Sequence, residues 1–162
     1  MSNTSENFLV VTSNDRNTDS FPLVCNYRID LDKKFKNIKQ VQLVHAIIPN
    51  AGNVLNEPYL LLKIEEFRNS LYSNNMHISE CFQILPILSP TSGGDFIHID
   101  TRKYQESTVY FVPSPKASLG RISISITDST GAFFDFGAPS GDTSKTFENT
   151  FILEVITEEK KF

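Results

Sequence analysis

The sequence predicts an all-β domain built as a sandwich, and three observations carry that expectation. Fifteen Ile, nine Val and twelve Thr stand against five Ala; restricted χ1 angles and branched side chains suit a pleated sheet better than a helix. Eight Pro and seven Gly are spread along the chain, which punctuates short elements. Apolar residues recur with a period of two in segment after segment, as in strands with one face in a core. At 162 residues the chain is one domain's worth and can build a core without staples.

Residues 1–20 read as a flexible arm. Seven of them are Ser or Thr and four are Asn, so ordering the segment costs more entropy than its burial returns. Its apolar island at 8–11 is short and β-prone, fit to pair with a sheet edge, its own or a neighbour's. The folded domain is expected over 21–162. Within 21–32, Phe21, Leu23, Cys25, Tyr27, Ile29 and Leu31 share one face, and Asn26, Arg28, Asp30 and Asp32 the other. Lys33 and Lys34 close that strand, and 38–48 form a second. There Val41, Leu43 and Ile47 alternate with Gln40 and Gln42, placing His45 on the core face.

Turn residues at 49–53 and Pro58 precede a run at 59–66 whose continuous apolar pattern suits a strand or a short helix, the strand preferred because no cap residue starts a helix there. Residues 67–80 form a polar loop. Residues 81–88 form a strand that Pro86 confines to an edge or end, because proline donates no ladder hydrogen bond. A loop at 89–94 leads to short strands at 96–99 and 109–112, and Pro113 and Pro115 bracket a rigid link. From 119 to 127 the alternation is clean, with Ile122, Ile124 and Ile126 inward. Residues 128–131 read as a hairpin turn whose glycine takes positive φ, with 132–136 returning antiparallel. After a loop at 137–145, the strand at 147–157 places Phe151, Leu153 and Val155 on one face. Eight or nine strands without βα alternation favour two packed sheets.

The chemistry of an enzyme is not expected. His45, His77 and His98 belong to no metal-binding motif, and no nucleophile elbow or phosphate-cradling glycine loop occurs. The pairs Glu65–Glu66 and Glu158–Glu159 point to opposite strand faces, and Asp30 with Asp32 lacks the loop oxygens of a calcium site. No catalytic, cofactor-binding or metal-binding residue is therefore assigned, and no cofactor. Cys25 and Cys81 suit a buried reduced pair rather than a disulfide framework. The formal net charge is −4. No apolar window is long enough for a membrane span, and the opening residues lack the pattern of a signal peptide. The one concentrated charge is Lys33, Lys34, Lys36 and Lys39. It is either a solvated strand connection or a contact with a phosphate backbone or a neighbouring subunit.

Four stretches taken in order carry a resemblance. Residues 27–50 (YRIDLDKKFKNIKQVQLVHAIIPN) are followed by 56–66 (NEPYLLLKIEE). Later come 112–137 (VPSPKASLGRISISITDSTGAFFDFG) and 151–155 (FILEV). The chain resembles small capsid proteins of virophages and of Polinton-like and large eukaryotic double-stranded DNA viruses, their penton protein above all. That resemblance implies a single jelly roll of two antiparallel four-stranded sheets, arranged as homopentamers at icosahedral vertices. It also implies residence in the virion and contact with a major capsid protein. The chain is short for an additional outward domain, so a minor capsid component stands as the alternative. Two further readings compete: a carbohydrate- or host-surface-binding jelly-roll module, and a cupin-like enzyme with convergent His and Glu ligands. An exposed aromatic ring near the loops at 67–80 or 137–147 would favour the former.

Overall fold

The computed structural model describes residues 3–67, 71–88, 95–101, 108–111 and 115–159. In chain order these form β1 (Asn3–Thr12), β2 (Asn26–Pro49), β3 (Tyr59–Ile64), α1 (Met76–Glu80), β4 (Gln83–Pro86), β5 (Phe96–Asp100), β6 (Thr108–Tyr110), β7 (Lys116–Thr127) and β8 (Thr150–Glu159). The loop expected at 89–94 and residues 112–114 lie outside the described residues. Every strand joins one antiparallel sheet ordered β1-β8-β2-β7-β3-β4, with β5 and β6 also paired to β2. The sheet curls into a half-barrel. Side chains from its two ends, such as Val155 and Leu60, thereby meet in a single core cluster.

The all-β expectation holds, but two separate four-stranded sheets do not form. The reason is β2. Residues expected as two strands joined by a lysine-bearing connection make one strand of 24 residues. Its first half pairs with β7, from Asn26↔Ser125 to Ile38↔Lys116, and its second half with β8, from Ile38↔Thr157 to Ile47↔Thr150. Hydrogen bonding therefore runs unbroken from one half of the curl to the other.

Irregularities in β2 absorb the bend. Leu31, Asp32, Lys33 and Lys34 lie opposite Gly120 alone, between the pairs Asp30↔Arg121 and Phe35↔Leu119. That is a large bulge, and bulges bend and twist a strand. A Cβ on Gly120 would stand 3.2 Å from Lys34 Cε, so the lysine stem lies across the bare glycine. Just beyond, Asn37 adopts φ 53°, a conformation that asparagine tolerates better than most residues. A further register shift falls between Leu43 and His45. One extra residue exchanges the two faces of a strand, so the inward side chains change from Val41 and Leu43 to Ala46 and Ile48. His45 and Ile47, expected on the core face, are instead only half-buried on the outer one.

The segment expected as an arm is also different. Residues 3–12 are β1, in unbroken register with β8 from Asn3↔Glu159 to Thr12↔Thr150. Few of its side chains are apolar, but a continuous backbone ladder to β8 offsets the entropy of ordering it. Leu9 and Val11 add packing on the inner face, opposite Leu153 and Phe151.

A buried polar knot fixes the base of this strand. Ser13 N donates to Asn149 O and Asn149 N to Ser13 Oγ, each at 3.0 Å. Asn149 Nδ2 donates to Val24 O at 2.7 Å, and Tyr27 Oη donates to Asn149 Oδ1 at 2.7 Å. Arg16, 4% exposed, donates Nε to Phe21 O (2.8 Å) and Nη1 to Ser13 O (2.9 Å). Its Nη2 donates to Pro22 O (3.1 Å) and Asp142 O (2.7 Å). Four backbone carbonyls thus tie 13–22 to the 137–145 loop. Burial holds the Arg16 guanidinium below its ordinary pKa and pushes the Tyr27 phenol well above its own.

The remaining strands follow their sequence patterns. Ile122, Ile124 and Ile126 of β7 are fully buried, as are Phe151, Leu153 and Val155 of β8. β4, with Pro86, ends the sheet, where a missing donor costs least. The polar segment at 67–80 contains α1, whose N-cap Asn75 accepts from His77 N at 2.9 Å and donates Nδ2 to Ser129 O at 2.8 Å. That second bond docks it on the 128–131 turn, where Gly131 has φ 84°. The return expected at 132–136 shrinks to one bridge, Thr127↔Phe133. Phe134 and Phe136 pack edge-to-face, centroids 4.8 Å apart, into the core instead.

Candidate functional site

Two surfaces stand out once the register is known. The first is the outer face of β1, β8 and the second half of β2. Opposed pairs on that face are Val10↔Ile152, Phe8↔Glu154 and Glu6↔Ile156; β2 adds His45 beside Ile152, Gln42 beside Glu154 and Gln40 beside Ile156. Phe8 is 59% and Val10 55% exposed. Glu6 and Glu154 lie among these apolar groups, and Glu159 is exposed at the strand end. β1 also ends the sheet, and its ten residues carry no Lys, no Pro and no bulge. Edge strands of monomeric proteins are usually blunted by such devices.

The second surface is the β2 bulge. Lys33, Lys34, Lys36 and Arg121 are exposed there, alongside exposed Asp30 and Asp32. The expected group of four lysines is divided: Lys39 falls at a separate register shift between Ile38 and Gln40, its Nζ 3.5 Å from Glu158 Oε1. A groove of about 680 Å³ runs from the bulge to β1, lined by Leu9, Ile29, Leu31 and Phe35 with Arg28 and Asp15 at its rim.

His45 and His98 meet on the outer face with ring centroids 6.0 Å apart, brought together by the β2–β5 register. His77 sits apart, against Gly131. Among the described residues no group of three or more His, Cys, Asp and Glu is arranged to hold a metal ion. Cys25 and Cys81 are buried and unpaired. Burial raises both thiol pKa values, that of Cys81 to about 11, so both stay protonated and weakly reactive at neutral pH. Glu66, expected as surface, accepts from Ser123 N at 3.0 Å and Ser123 Oγ at 2.8 Å, tying the end of β3 to β7. No sequence period announces that contact.

A polar trough of about 360 Å³ crosses the outer face of β2, β7 and β3, lined by Asn26, Arg28, Lys63, Glu65, Ser123 and Ser125 among others. An apolar pocket of about 270 Å³ opens between Leu23, Phe133, Phe134 and Phe136. No helix among the described residues is long and apolar enough to cross a membrane.

No family model matches this chain, and no curated protein matches it in sequence. The architecture is that of an antiparallel all-β sheet curled into a half-barrel, broadly in keeping with jelly-roll-like folds.

Proposed function

We propose that this chain is a structural capsid protein, the penton that forms homopentameric vertices of an icosahedral double-stranded DNA virus and contacts a major capsid protein in the virion. Its work is assembly rather than catalysis. The observation that carries this reading is the uncovered apolar face on an unblunted edge strand, with Phe8 59% and Val10 55% exposed. Contiguous exposed apolar surface usually marks an interface. The ordered resemblance across 27–155 and the curled antiparallel sheet direct that assembly towards a viral shell.

The test is sedimentation of the full chain, followed by cryo-electron microscopy of shells made by co-expression with the major capsid protein. Support would be a particle of five times the 18.3 kDa chain mass and density for it at the vertices. A chain that stays monomeric and leaves the vertices empty would overturn the proposal. One observation favours the carbohydrate-binding reading: Tyr72 is 99% exposed beside Ser73 and Asn74, and rings so placed stack on apolar sugar faces. Glycan-array binding that is lost in Tyr72→Ala would move the assignment there.

A further inference from the structure

We propose that the apolar, glutamate-bearing face of β1 and β8 is the docking surface for the basic β2 bulge of a second copy of this chain. This rests on the reading of the protein as a self-assembling subunit and names the surfaces that would mate. The face offers Phe8, Val10, Ile152 and Ile156 with Glu6 and Glu154 among them. The bulge offers the opposite charge: Lys33, Lys34, Lys36 and Arg121 outnumber Asp30 and Asp32.

Geometry makes the bulge a projection. Leu31 to Lys34 have only Gly120 across the ladder, so the extra backbone must leave the plane of the sheet. The stem of Lys34 is laid over Gly120, which places its ammonium without ordering a free side chain on docking. Leu31 and Phe35, only half-buried, supply apolar area beside the charges. The pairing chemistry already occurs within one chain, where Lys39 of β2 meets Glu158 of β8 at 3.5 Å.

The two surfaces comprise different residues, so the contact is heterologous. Each copy keeps one free face and one free bulge after joining its neighbour, and repetition closes a ring where the rotation permits. A nucleic-acid phosphate backbone would match the lysines but leave the apolar, acidic face unexplained. A second copy uses both.

The experiment is sedimentation velocity of the full chain at low and at high salt, in parallel with thermal melts. Three variants are compared with wild type: bulge reversal (Lys33→Glu, Lys34→Glu, Lys36→Glu), face reversal (Glu6→Lys, Glu154→Lys) and both together. Wild type should self-associate more tightly at low salt. Each reversal alone should weaken association about tenfold or more, because like charges then face each other. The combined variant should recover it, and an equimolar mixture of the two single reversals should recover pairwise association, although strict alternation cannot close a ring of five. A triple Lys→Gln variant of the bulge should show the milder loss should a reversal fail to fold. Unchanged association after bulge reversal, a folded combined variant that stays defective, or wild type that remains monomeric would each overturn the inference. So would salt-sensitive DNA binding that disappears with the bulge lysines while self-association persists. Vertex incorporation separates this from the functional reading. Normal vertices made by the bulge-reversed chain would sink the interface alone. Salt-dependent, charge-rescued oligomers that never enter shells would sink the capsid role alone.

Discussion

Replacing Arg16 by Met should loosen one end of the molecule more than the whole. The side chain is 4% exposed, and all four of its hydrogen-bond acceptors are backbone carbonyls, at 2.7 to 3.1 Å. Hydrogen bonds from a charged donor contribute about 1.5–3 kcal/mol each. Against that sum stands the cost of holding a guanidinium away from water, several kcal/mol, which Met does not incur. Three of the bonds are partly exposed, so the carbonyls of Phe21, Pro22 and Asp142 can recruit water after substitution. The Ser13 carbonyl bond is fully buried; that oxygen keeps only the 3.3 Å bond from the backbone N–H of residue 16, and losing its charged donor, with no water to replace it, costs about 1.5–3 kcal/mol. With the other losses partly offset, Arg16→Met should destabilise by about 2–4 kcal/mol, and Arg16→Lys, which keeps the charge without the fork, by less. Urea melts give the total and native-state amide exchange gives its location. Protection should fall first in β1 and around Asn149, while β7 and β3 keep theirs. A melt within about 0.5 kcal/mol of wild type, or exchange that rises uniformly, would refute the view that Arg16 anchors the strand.

Ile124→Ala should cost about 2–5 kcal/mol in denaturant melts, since Ile124 is fully buried between Tyr27 and Ile64. Ser125→Ala, on the polar outer face with only a 3.4 Å bond to Asn26, should stay within about 0.5 kcal/mol; equal costs would contradict one buried face. Gly131→Ala combines φ 84° with a Cβ 2.5 Å from the His77 ring, and should lose about 1–3 kcal/mol. Adding His77→Ala should restore only the steric part, as thermal melts of the pair would show. Bonds from the Thr130 hydroxyl first, then the Thr130, Ala132 and Gly131 backbone, hold the Asp128 carboxyl below its usual pKa. A depressed folded-state pKa contributes stability above the unfolded value of about 3.9 and loses it as pH falls through the folded value. Asp128→Asn should therefore flatten the acid side of the stability–pH curve, and an unchanged slope would count against the turn.

Strands that keep one period from end to end were legible. Ile122, Ile124 and Ile126, and Phe151, Leu153 and Val155, lie inward as their alternation requires. β2 was harder because its bulges reset the parity of the pattern. Read with a fixed period, Ile47 and His45 belong with Val41 and Leu43. Read with the shift after Leu43, the same residues face out and Ala46 and Ile48 face in. The apolar character of both faces at 44–48 was the trace of that shift, visible in sequence as a blurred period but not as a bulge. β1 was hidden for a different reason. Its polar residues describe what its side chains bury, whereas the strand is held mainly by its ladder to β8.

The surfaces follow the same division. Exposed lysines at 33, 34 and 36 and a β-prone island at 8–11 can be read from composition, because each is contiguous in the chain. Ile152, Ile156, Glu154 and His45 join Phe8 and Val10 only through the pairing of β1, β8 and β2, and a register set across about 140 residues of chain leaves no local signal. The departures from regularity in β2 connect these facts. The register shift after Leu43 turns His45 out beside Ile152, and the bulge at Leu31 to Lys34 leaves Lys33 and Lys34 exposed with only Gly120 across the ladder. Without them β2 would be a straight ladder strand, with His45 packed among core residues. The bends that let one strand serve both halves of the curl therefore also shape the two surfaces that project from it. A substitution that straightens β2, such as deleting three of the four bulge residues, should change assembly and fold together, whereas charge reversal on the intact bulge should change assembly alone.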